Sequence, residues 1–302
     1  MCGDSGYFQH IAACLVSLLE SNADVFFHVV VAVTHWSSES NEKLQRSFRS
    51  YKNITLDVTY FDPKFLQGLP LTTAYPSEIY VRFWVENYFP EDVERVIYLD
   101  GDIVVTGSIE PLLTLDFGKN VLAAVQIPGS DRAKRLGYDS KYGYFNSGVM
   151  VLNLPRWRAI NAKEILVNKA YSMAGVLNDP DQDVLNACFH DQYIPIDYIW
   201  NAISPFFREV NHLPLPKEEV LRVAKNARIV HFNGMGKPWN YLCLHPYAKY
   251  YMRCVSKTEW RGFRQSDYSV LNIFKKRFIS LLGERRSLMV GSFLRRLRFT
   301  HS

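Results

Sequence analysis

The chain has 302 residues, which is long enough for one large domain or two modest ones with a full hydrophobic core. Its 48% hydrophobic and 22% charged residues are typical of a soluble globular protein. The formal charge of +5 is concentrated in residues 271–302, which carry eight basic residues against Glu284 and leave the rest mildly acidic. A nucleic-acid function inferred from overall charge would depend on this tail alone, so we expect no nucleic-acid partner.

Cysteine usage and apolar run lengths indicate the compartment. The five cysteines are scattered and form no CxxC pair, which argues against a disulfide framework or a thiolate zinc site. The start MCGDSGYF has no basic segment leading into an apolar core. The longest apolar run, residues 25–33, contains His28 and falls well short of the roughly 20 residues that a membrane span needs. We therefore expect a cytoplasmic protein.

Helices and apolar strands alternate along the chain. The predicted helices lie at residues 8–20 and 39–51, from Pro76-Ser77 through Trp84, at residues 162–171, and through Val184, Leu185 and Cys188 with Asp181 as the cap. The predicted strands are residues 25–33, 54–60, 96–99, 121–127, 148–154, 193–196 and 228–232. This alternation predicts an α/β fold with a largely parallel sheet, and no domain boundary is evident before about residue 250.

Two carboxylates, Asp100 and Asp102, follow the apolar strand 96–99, and residues 103–105 continue as a strand beyond them. Carboxylates one residue apart at the end of a buried strand repel each other, and a hard cation between them makes their burial tolerable. Asp-Gly-Asp is also ordinary turn chemistry, so a turn without a ligand is the alternative. The local pattern favours a metal site.

Two segments combine glycine with small polar side chains. Residues 2–7 precede the first helix, where free N–H groups and Asp4 could hold a base and ribose, although a simple helix N-cap fits equally well. Residues 144–148 lead into a strand, where Asn146 and Ser147 could bind sugar hydroxyls, although most such clusters are turns.

Two further segments concentrate charged or metal-binding groups. Residues 179–183 contain three carboxylates and Gln182, which is more than a helix cap requires and favours a site that faces a cation or hydroxyls. In residues 231–239, His231 could complete a metal shell and Lys237 could contact phosphate. A single histidine is usually structural, so this interpretation depends on the other segments.

In combination and in this order, four motifs resemble glycosyltransferase family 8, especially bacterial lipopolysaccharide galactosyl- and glucosyltransferases. They are Asp100-Gly101-Asp102, Phe145-Asn146-Ser147-Gly148, Asp181-Gln182-Asp183 and His231 to Trp239. The resemblance implies a GT-A fold with a mostly parallel central sheet over residues 1–250. It also implies a UDP-galactose or UDP-glucose donor, Mn2+ with Mg2+ as the alternative cation, a saccharide or glycolipid acceptor such as a lipopolysaccharide core, and retention of anomeric configuration.

The resemblance also implies a role for each matching residue. The metal ligands would be Asp100, Asp102 and His231, an O/O/N set that suits Mn2+. The donor-binding residues would be Gly3, Asp4, Arg82, Asp100, Gly101, Asn146, Ser147, Gly234 and Lys237. The catalytic residues would be Gln182, Asp181 and Asp183, with Gln182 near the anomeric carbon. We expect attack on the same face of the sugar, with the leaving phosphate taking the acceptor proton, rather than a covalent intermediate on Asp183.

The sequence departs from the family at Gly6, near Gln126-Ile127 and in its first strand, and two alternative functions remain. The family's first strand, expected before residues 2–7, is reduced here to Met1, so either the sheet lacks a central strand or the chain begins upstream. A haloacid-dehalogenase-type phosphatase with Asp100 as nucleophile is one alternative, because residues 100–104 fit its D-x-D-x-[TV] pattern, although that motif normally opens its domain. The other is an inactive nucleotide-binding membrane scaffold.

Residues 251–302 are predicted to form a helical, basic extension. Apolar residues such as Phe274 and Phe278 are interspersed among the basic residues of 271–302, a pattern typical of an interfacial helix on anionic lipid. A solvated basic tail would explain the charge but not the apolar residues. We expect this segment to hold the protein on the cytoplasmic face of a membrane.

Overall fold

The protein alternates helices with short strands, as seen in a computed structural model that describes residues 1–73, 75–208, 212–234 and 236–279. The strands are β1 (Cys2–Gly3), β2 (Phe27–Val33), β3 (Ile54–Tyr60), β4 (Arg95–Leu99), β5 (Ile103–Val105), β6 (Leu122–Gln126), β7 (Phe145–Asn153), β8 (Tyr193–Pro195), β9 (Ala202–Ile203) and β10 (Ile229–His231). The α-helices are α1 (Phe8–Ser21), α2 (Ser38–Phe48), α3 (Glu110–Leu113), α4 (Arg132–Arg135), α5 (Leu154–Ala159), α6 (Ala162–Ser172), α7 (Pro180–Phe189), α8 (Lys217–Asn226) and α9 (Ala248–Val255). The 3-10 helices are Ser5–Tyr7, Pro63–Leu66, Ser77–Tyr88, Ser140–Tyr142, Tyr198–Asn201 and Ser204–Phe207.

The strands form a mixed α/β arrangement. β1, β2 and β3 form a parallel sheet. A second sheet has the order β4-β7-β6-β8, in which β7 runs antiparallel to both β4 and β6, and β8 is parallel to β6. In the third sheet β10 lies between β5, which is antiparallel to it, and β9, which is parallel.

Two hydrophobic clusters hold the helices against these sheets. The first centres on α1, whose Ile11 and Leu15 are fully buried, and it includes Tyr251 from α9. The second contains Tyr80, Phe83 and Trp157 beneath the second sheet. The predicted boundary near residue 250 falls inside α9, and α9 packs on α1 within the first cluster.

Two local predictions differ from the structure. The segment that follows Pro76 is a 3-10 helix rather than a regular α-helix, and it is kinked at Trp84 (φ −92°, ψ 18°). Asp181 does not cap α7: the N-cap residue is Asp179, and Asp181 lies inside the first turn. The reason is that Pro180 takes the first helical position, where its fixed φ and missing N–H are tolerated, and so moves the cap to the residue before it.

A cavity of about 300 Å³ lies between β2 and β4, and we call it the β2–β4 cavity. Its wall includes consecutive residues of β2 (27–30) and all of β4 (95–99). Because successive side chains of a strand point to opposite faces, a cavity that touches them all runs along the hydrogen-bonding edges of both strands. β1 covers only the end of this edge, where it pairs with Ala32 and Val33, and the Met1 ammonium bonds to Val30 O at 3.0 Å.

The last described residues, 270–279, are helical and expose apolar side chains. Leu271, Phe274 and Phe278 are 76%, 64% and 53% exposed. Residues 280–302 of the predicted basic tail lie outside the described residues. Within the described part of the chain, no helix combines the length and apolarity needed to cross a membrane.

Candidate active site

Three predicted metal ligands meet at the ends of two strands. One ligand atom from each of Asp100, Asp102 and His231 lies within 4.8 Å of the others. His231 Nε2 is 3.2 Å from Asp102 Oδ1 and 3.9 Å from Asp100 Oδ2. Burial alone would raise the pKa of Asp102, but the imidazole of His231 and the ammonium of Lys237 outweigh it and lower that pKa. Asp102 is therefore held in its charged, ligand-competent form.

Strand register explains this convergence across about 130 residues of sequence. β4 ends at Leu99 and delivers Asp100, while β5 begins just after Asp102. β10 pairs antiparallel with β5 so that His231 lies opposite Ile103, and the Phe232 N–H bonds to Asp102 O at 2.9 Å. The antiparallel pair therefore carries the imidazole to the two carboxylates.

Arg82 and Tyr98 hold Asp100 from the side away from the imidazole. Arg82 Nη2 and the Tyr98 hydroxyl both donate to Asp100 Oδ1, each at 3.0 Å. Arg82 Nη1 also contacts Asp181 Oδ2 at 2.9 Å and Ser147 Oγ at 3.1 Å. Arg82 is 8% exposed, and its guanidinium links the metal cluster to the first turn of α7.

The predicted sugar-binding residues form one buried cluster. Gln182 Oε1 accepts from Asn146 Nδ2 at 2.9 Å and from the Ser147 N–H at 3.0 Å. Ser147 Oγ donates to Asp181 Oδ2 at 3.1 Å. Asn146, Ser147, Asp181 and Gln182 are all buried and line the same cleft as the metal cluster.

Asp183 lies apart from the other predicted catalytic residues. Its side chain is 0% exposed and points away from the cleft into the protein. Arg135 and the Tyr144 hydroxyl engage Oδ1 at 2.8 and 2.7 Å, and the N–H groups of Asn178 and Asp179 donate to Oδ2. The carboxylate is thus used to anchor the start of α7.

The predicted nucleotide-binding residues lie at the edge of the same cleft. Gly3 ends β1, and Asp4 caps the 3-10 helix Ser5–Tyr7 through the Tyr7 N–H while its carboxylate stays exposed. Gly101 also lines the cleft, where a Cβ would come within 2.7 Å of the Tyr7 ring. Lys237 Nζ contacts Asp102 Oδ2 and donates to Phe232 O at 2.8 Å. Gly234 also lines the cleft and has φ +73°.

The cleft has a volume of about 660 Å³, within the usual range for small-molecule sites. Sequence reasoning missed several of its supporting groups. Asn201 Oδ1 accepts a hydrogen bond from His231 Nδ1. Tyr75 and Arg132, which also line the cleft, both contact the carboxylate of Asp179. None of these residues lies in a recognisable motif, although the Tyr98-x-Asp100 spacing places a hydroxyl on the face of β4 that carries Asp100.

Comparison with known proteins supports this arrangement. The model of glycosyl transferase family 8 matches residues 1–243. The chain is 30% identical over 293 residues to lipopolysaccharide glucosyltransferase WaaO of Escherichia coli (strain K12), covering 90% of this chain and 84% of that protein. It is 28% identical over 266 residues to lipopolysaccharide 1,3-galactosyltransferase of Salmonella typhimurium, covering 85% of this chain and 77% of that protein.

The fold is similar to that of a solved GT-A enzyme. A crystal structure of the galactosyltransferase LgtC in complex with donor and acceptor sugar analogues superposes with a TM-score of 0.74 at 23% identity, covering 86% of this chain and 98% of that one. The α/β GT-A fold predicted from sequence is therefore confirmed. With residues 1–243 matching the family model, the chain belongs to glycosyl transferase family 8 and is a glycosyltransferase.

Proposed function

We propose that this protein transfers galactose or glucose from a UDP-sugar to a saccharide acceptor such as a lipopolysaccharide or other glycolipid core. The observation that carries the proposal is one cleft lined both by the Asp100/Asp102/His231 cluster and by the polar group of Asn146, Asp181 and Gln182. The named functions of the lipopolysaccharide galactosyl- and glucosyltransferases it resembles support the choice of sugar and acceptor.

A divalent cation fits the metal cluster. Two carboxylate oxygens and one imidazole nitrogen converge within 4.8 Å, a donor set that suits Mn2+ and also admits Mg2+. Gly148 leaves room beside them, because a Cβ there would lie 2.3 Å from His231 Cε1 and 2.7 Å from Asp100 Oδ2. When bound, such an ion neutralises the charge that develops on a departing diphosphate. Lys237 adds a positive charge at the same end of the cleft.

Retention by same-face attack is part of the proposal. Double displacement would need a carboxylate free to reach the far face of the sugar. Asp183 is committed to Arg135, Tyr144 and two backbone N–H groups, so we assign it a positioning role for α7. Asp181 lines the cleft but is bonded to Arg82 and Ser147. In the proposed reaction the leaving phosphate takes the acceptor proton.

The test is hydrolysis of UDP-galactose, UDP-glucose and UDP-N-acetylglucosamine with Mn2+, Mg2+ or a chelator, followed by anomer analysis of the sugar product. We expect metal-dependent hydrolysis of one hexose donor and a loss on the order of 10²-fold or more in Asp102→Asn. Asp24→Asn, at an exposed position outside the cleft, is the matched control.

Other outcomes would contradict the proposal in recognisable ways. Trapping of Asp100 by beryllium fluoride would support the phosphatase alternative. Metal-dependent UDP binding without hydrolysis or transfer would support the inactive scaffold.

A further inference from the structure

A buried hydrogen-bond chain joins the metal cluster to the sugar-binding residues. His231 Nδ1 is 3.0 Å from Asn201 Oδ1, and Asn201 Nδ2 donates to Asn146 Oδ1 at 2.8 Å. Asn146 continues to Gln182, and Gln182 Nε2 donates to the Tyr144 hydroxyl at 3.0 Å. Asn201 is 0% exposed and belongs to none of the sequence motifs.

Two backbone N–H groups fix the direction of every bond in this chain. The Gly148 N–H donates at 3.0 Å to one side-chain atom of Asn146, which must therefore be its oxygen, Oδ1. Asn201 meets that oxygen with its NH2 group, so its own carbonyl oxygen is left facing His231. A carbonyl oxygen only accepts, and Nδ1 of His231 must carry a hydrogen. Nε2 of the same ring faces Asp102 Oδ1 at 3.2 Å and Asp100 Oδ2 at 3.9 Å, so the bond to Asn201 aims Nε2 at the two carboxylates.

The second backbone group fixes Gln182. The Ser147 N–H identifies Oε1, which also accepts from Asn146, so both of its lone pairs are engaged. Nε2 uses one hydrogen on Tyr144. Gln182 therefore has a second N–H, rather than a free carbonyl oxygen, to offer to the cleft that it lines.

We propose that Asn201 is the positioning residue that links the two halves of the site. Its oxygen accepts from the Nδ1–H of His231 and so turns Nε2 toward Asp100 and Asp102, and its NH2 group, through Asn146, keeps the Gln182 oxygen turned inward and the N–H toward the donor sugar. The expected effect on sugar transfer rests on the proposed function, but the hydrogen on His231 Nδ1 can be measured without any turnover.

The direct test is 15N NMR of the histidine side chains in the full chain at pH 8 with a chelator, with His231 assigned by the loss of its signals in His231→Gln. We expect a hydrogen-bonded Nδ1–H signal from His231 in the wild type, with or without a hydrogen on Nε2, and its loss in Asn201→Leu. Because ligand-orienting partners typically contribute 10–100-fold in metal affinity, Asn201→Leu should weaken Mn2+ binding by about that factor in titration calorimetry.

Asn201→Asp separates the two roles. Its carboxylate still accepts from His231 Nδ1 but cannot donate to Asn146 Oδ1, so we expect the wild-type tautomer, retained Mn2+ affinity and a kcat lowered about 10–100-fold. Asn22→Leu is the matched control, because Asn22 is also a buried amide, bonded to Leu18 O and the Ile109 N–H and outside the cleft. It should lower stability without changing the tautomer or the Mn2+ affinity.

Each result decides the inference. A wild-type His231 ring with no hydrogen on Nδ1 overturns it even if Asn201→Leu fails to fold. An unchanged His231 spectrum in a folded Asn201→Leu, or equal effects of Asn201→Leu and Asn22→Leu on Mn2+ affinity, overturns it as well. If no UDP-sugar is hydrolysed while the tautomer follows Asn201, the proposed function fails and the positioning role stands.

Discussion

Gly148 shows how one missing side chain shapes the site. It lies on β7 beside Asp100, and the Asp100 N–H bonds to its carbonyl at 2.8 Å. The imidazole of His231, at the end of β10, approaches the same residue so closely that a Cβ there would lie 2.3 Å from Cε1. No residue larger than glycine fits there without moving a proposed metal ligand.

We predict that Gly148→Ala weakens Mn2+ binding by at least about 10-fold, because the new Cβ would displace His231 or Asp100 from the cluster. Titration calorimetry of the folded variant measures the change. Gly262→Ala is the control, since a Cβ there meets nothing within 4 Å. Equal Mn2+ affinities in both variants would contradict the steric argument.

His245 supplies a second residue-scale prediction. Its ring packs against those of Phe207 and Phe232, with ring centroids 4.7 Å apart in both pairs, and its Nδ1 accepts a hydrogen bond from the Tyr247 N–H at 3.2 Å. Burial, with a smaller effect of Arg208, lowers the pKa of His245 to about 4. The unfolded chain therefore binds the proton more tightly, and His245 makes the protein less stable as the pH falls from about 6.5 to 4.

Removing this group should reduce the acid sensitivity. We expect His245→Phe to show a smaller loss in the urea midpoint between pH 7 and pH 4.5 than the wild type, because no buried imidazole has to take up a proton. Substitution of the exposed His35 by Gln serves as the control. A variant as acid-sensitive as the wild type would contradict the prediction.

At the level of elements, the helix at residues 270–279 carries the membrane hypothesis. Val270 and Leu271 are 70% and 76% exposed, and Lys275 and Arg277 follow on the same short helix. Lys276 contacts Tyr241 O, so this helix is attached to the loop after Lys237. Exposed apolar groups beside cations favour peripheral binding to anionic lipid.

The triple substitution of Leu271, Phe274 and Phe278 by serine should reduce sedimentation with anionic liposomes and leave UDP-sugar hydrolysis intact. Removing residues 271–302 should abolish sedimentation with the liposomes and also leave hydrolysis intact, because the truncation deletes the eight cations of this segment as well, each of which contributes roughly 1 kcal/mol to lipid binding. The matched control replaces exposed Leu113, Ile165 and Val176 by serine. Unchanged binding after removal of 271–302 would refute the hypothesis.

Elements with clear periodicity were predicted almost to the residue. The helix expected at 8–20 is α1 (Phe8–Ser21), and the alternation in residues 54–60 matches β3. Whether neighbouring strands pair parallel or antiparallel was harder to predict from the sequence. A continuous apolar run such as β7 is compatible with both kinds of sheet. Asn201 could not be found at all, since its role depends on which tertiary partners surround it.

Across the whole molecule, the β2–β4 cavity separates two strand edges. β2 pairs with β3 over seven residues but with β1 over only two, and among the described strands β4 pairs only with β7. The cavity wall is largely apolar, with Leu15 and Leu18 from α1 among its members. A strand added ahead of β1 would continue its pairing along the edge of β2 and cover these side chains.

We predict that four alternating Val and Ile residues placed ahead of Met1 raise the unfolding temperature. Burying each side chain contributes about 1.5–3 kcal/mol, ordering costs about 1–2 kcal/mol per residue, and the expected net gain is about 2 kcal/mol. This corresponds to several degrees in a thermal melt. Four Gly and Ser residues are the control, and equal melting temperatures would contradict the prediction.

Cys2 and Arg82 line both the β2–β4 cavity and the cleft that holds the candidate active site. A molecule bound in the cavity that restrains Cys2 and Arg82 would change the affinity of the cleft for its own ligand. Thermodynamic linkage makes this coupling reciprocal. A small hydrocarbon that fills the cavity and strengthens nucleotide binding must itself be held more firmly, by the same factor, once the nucleotide is present.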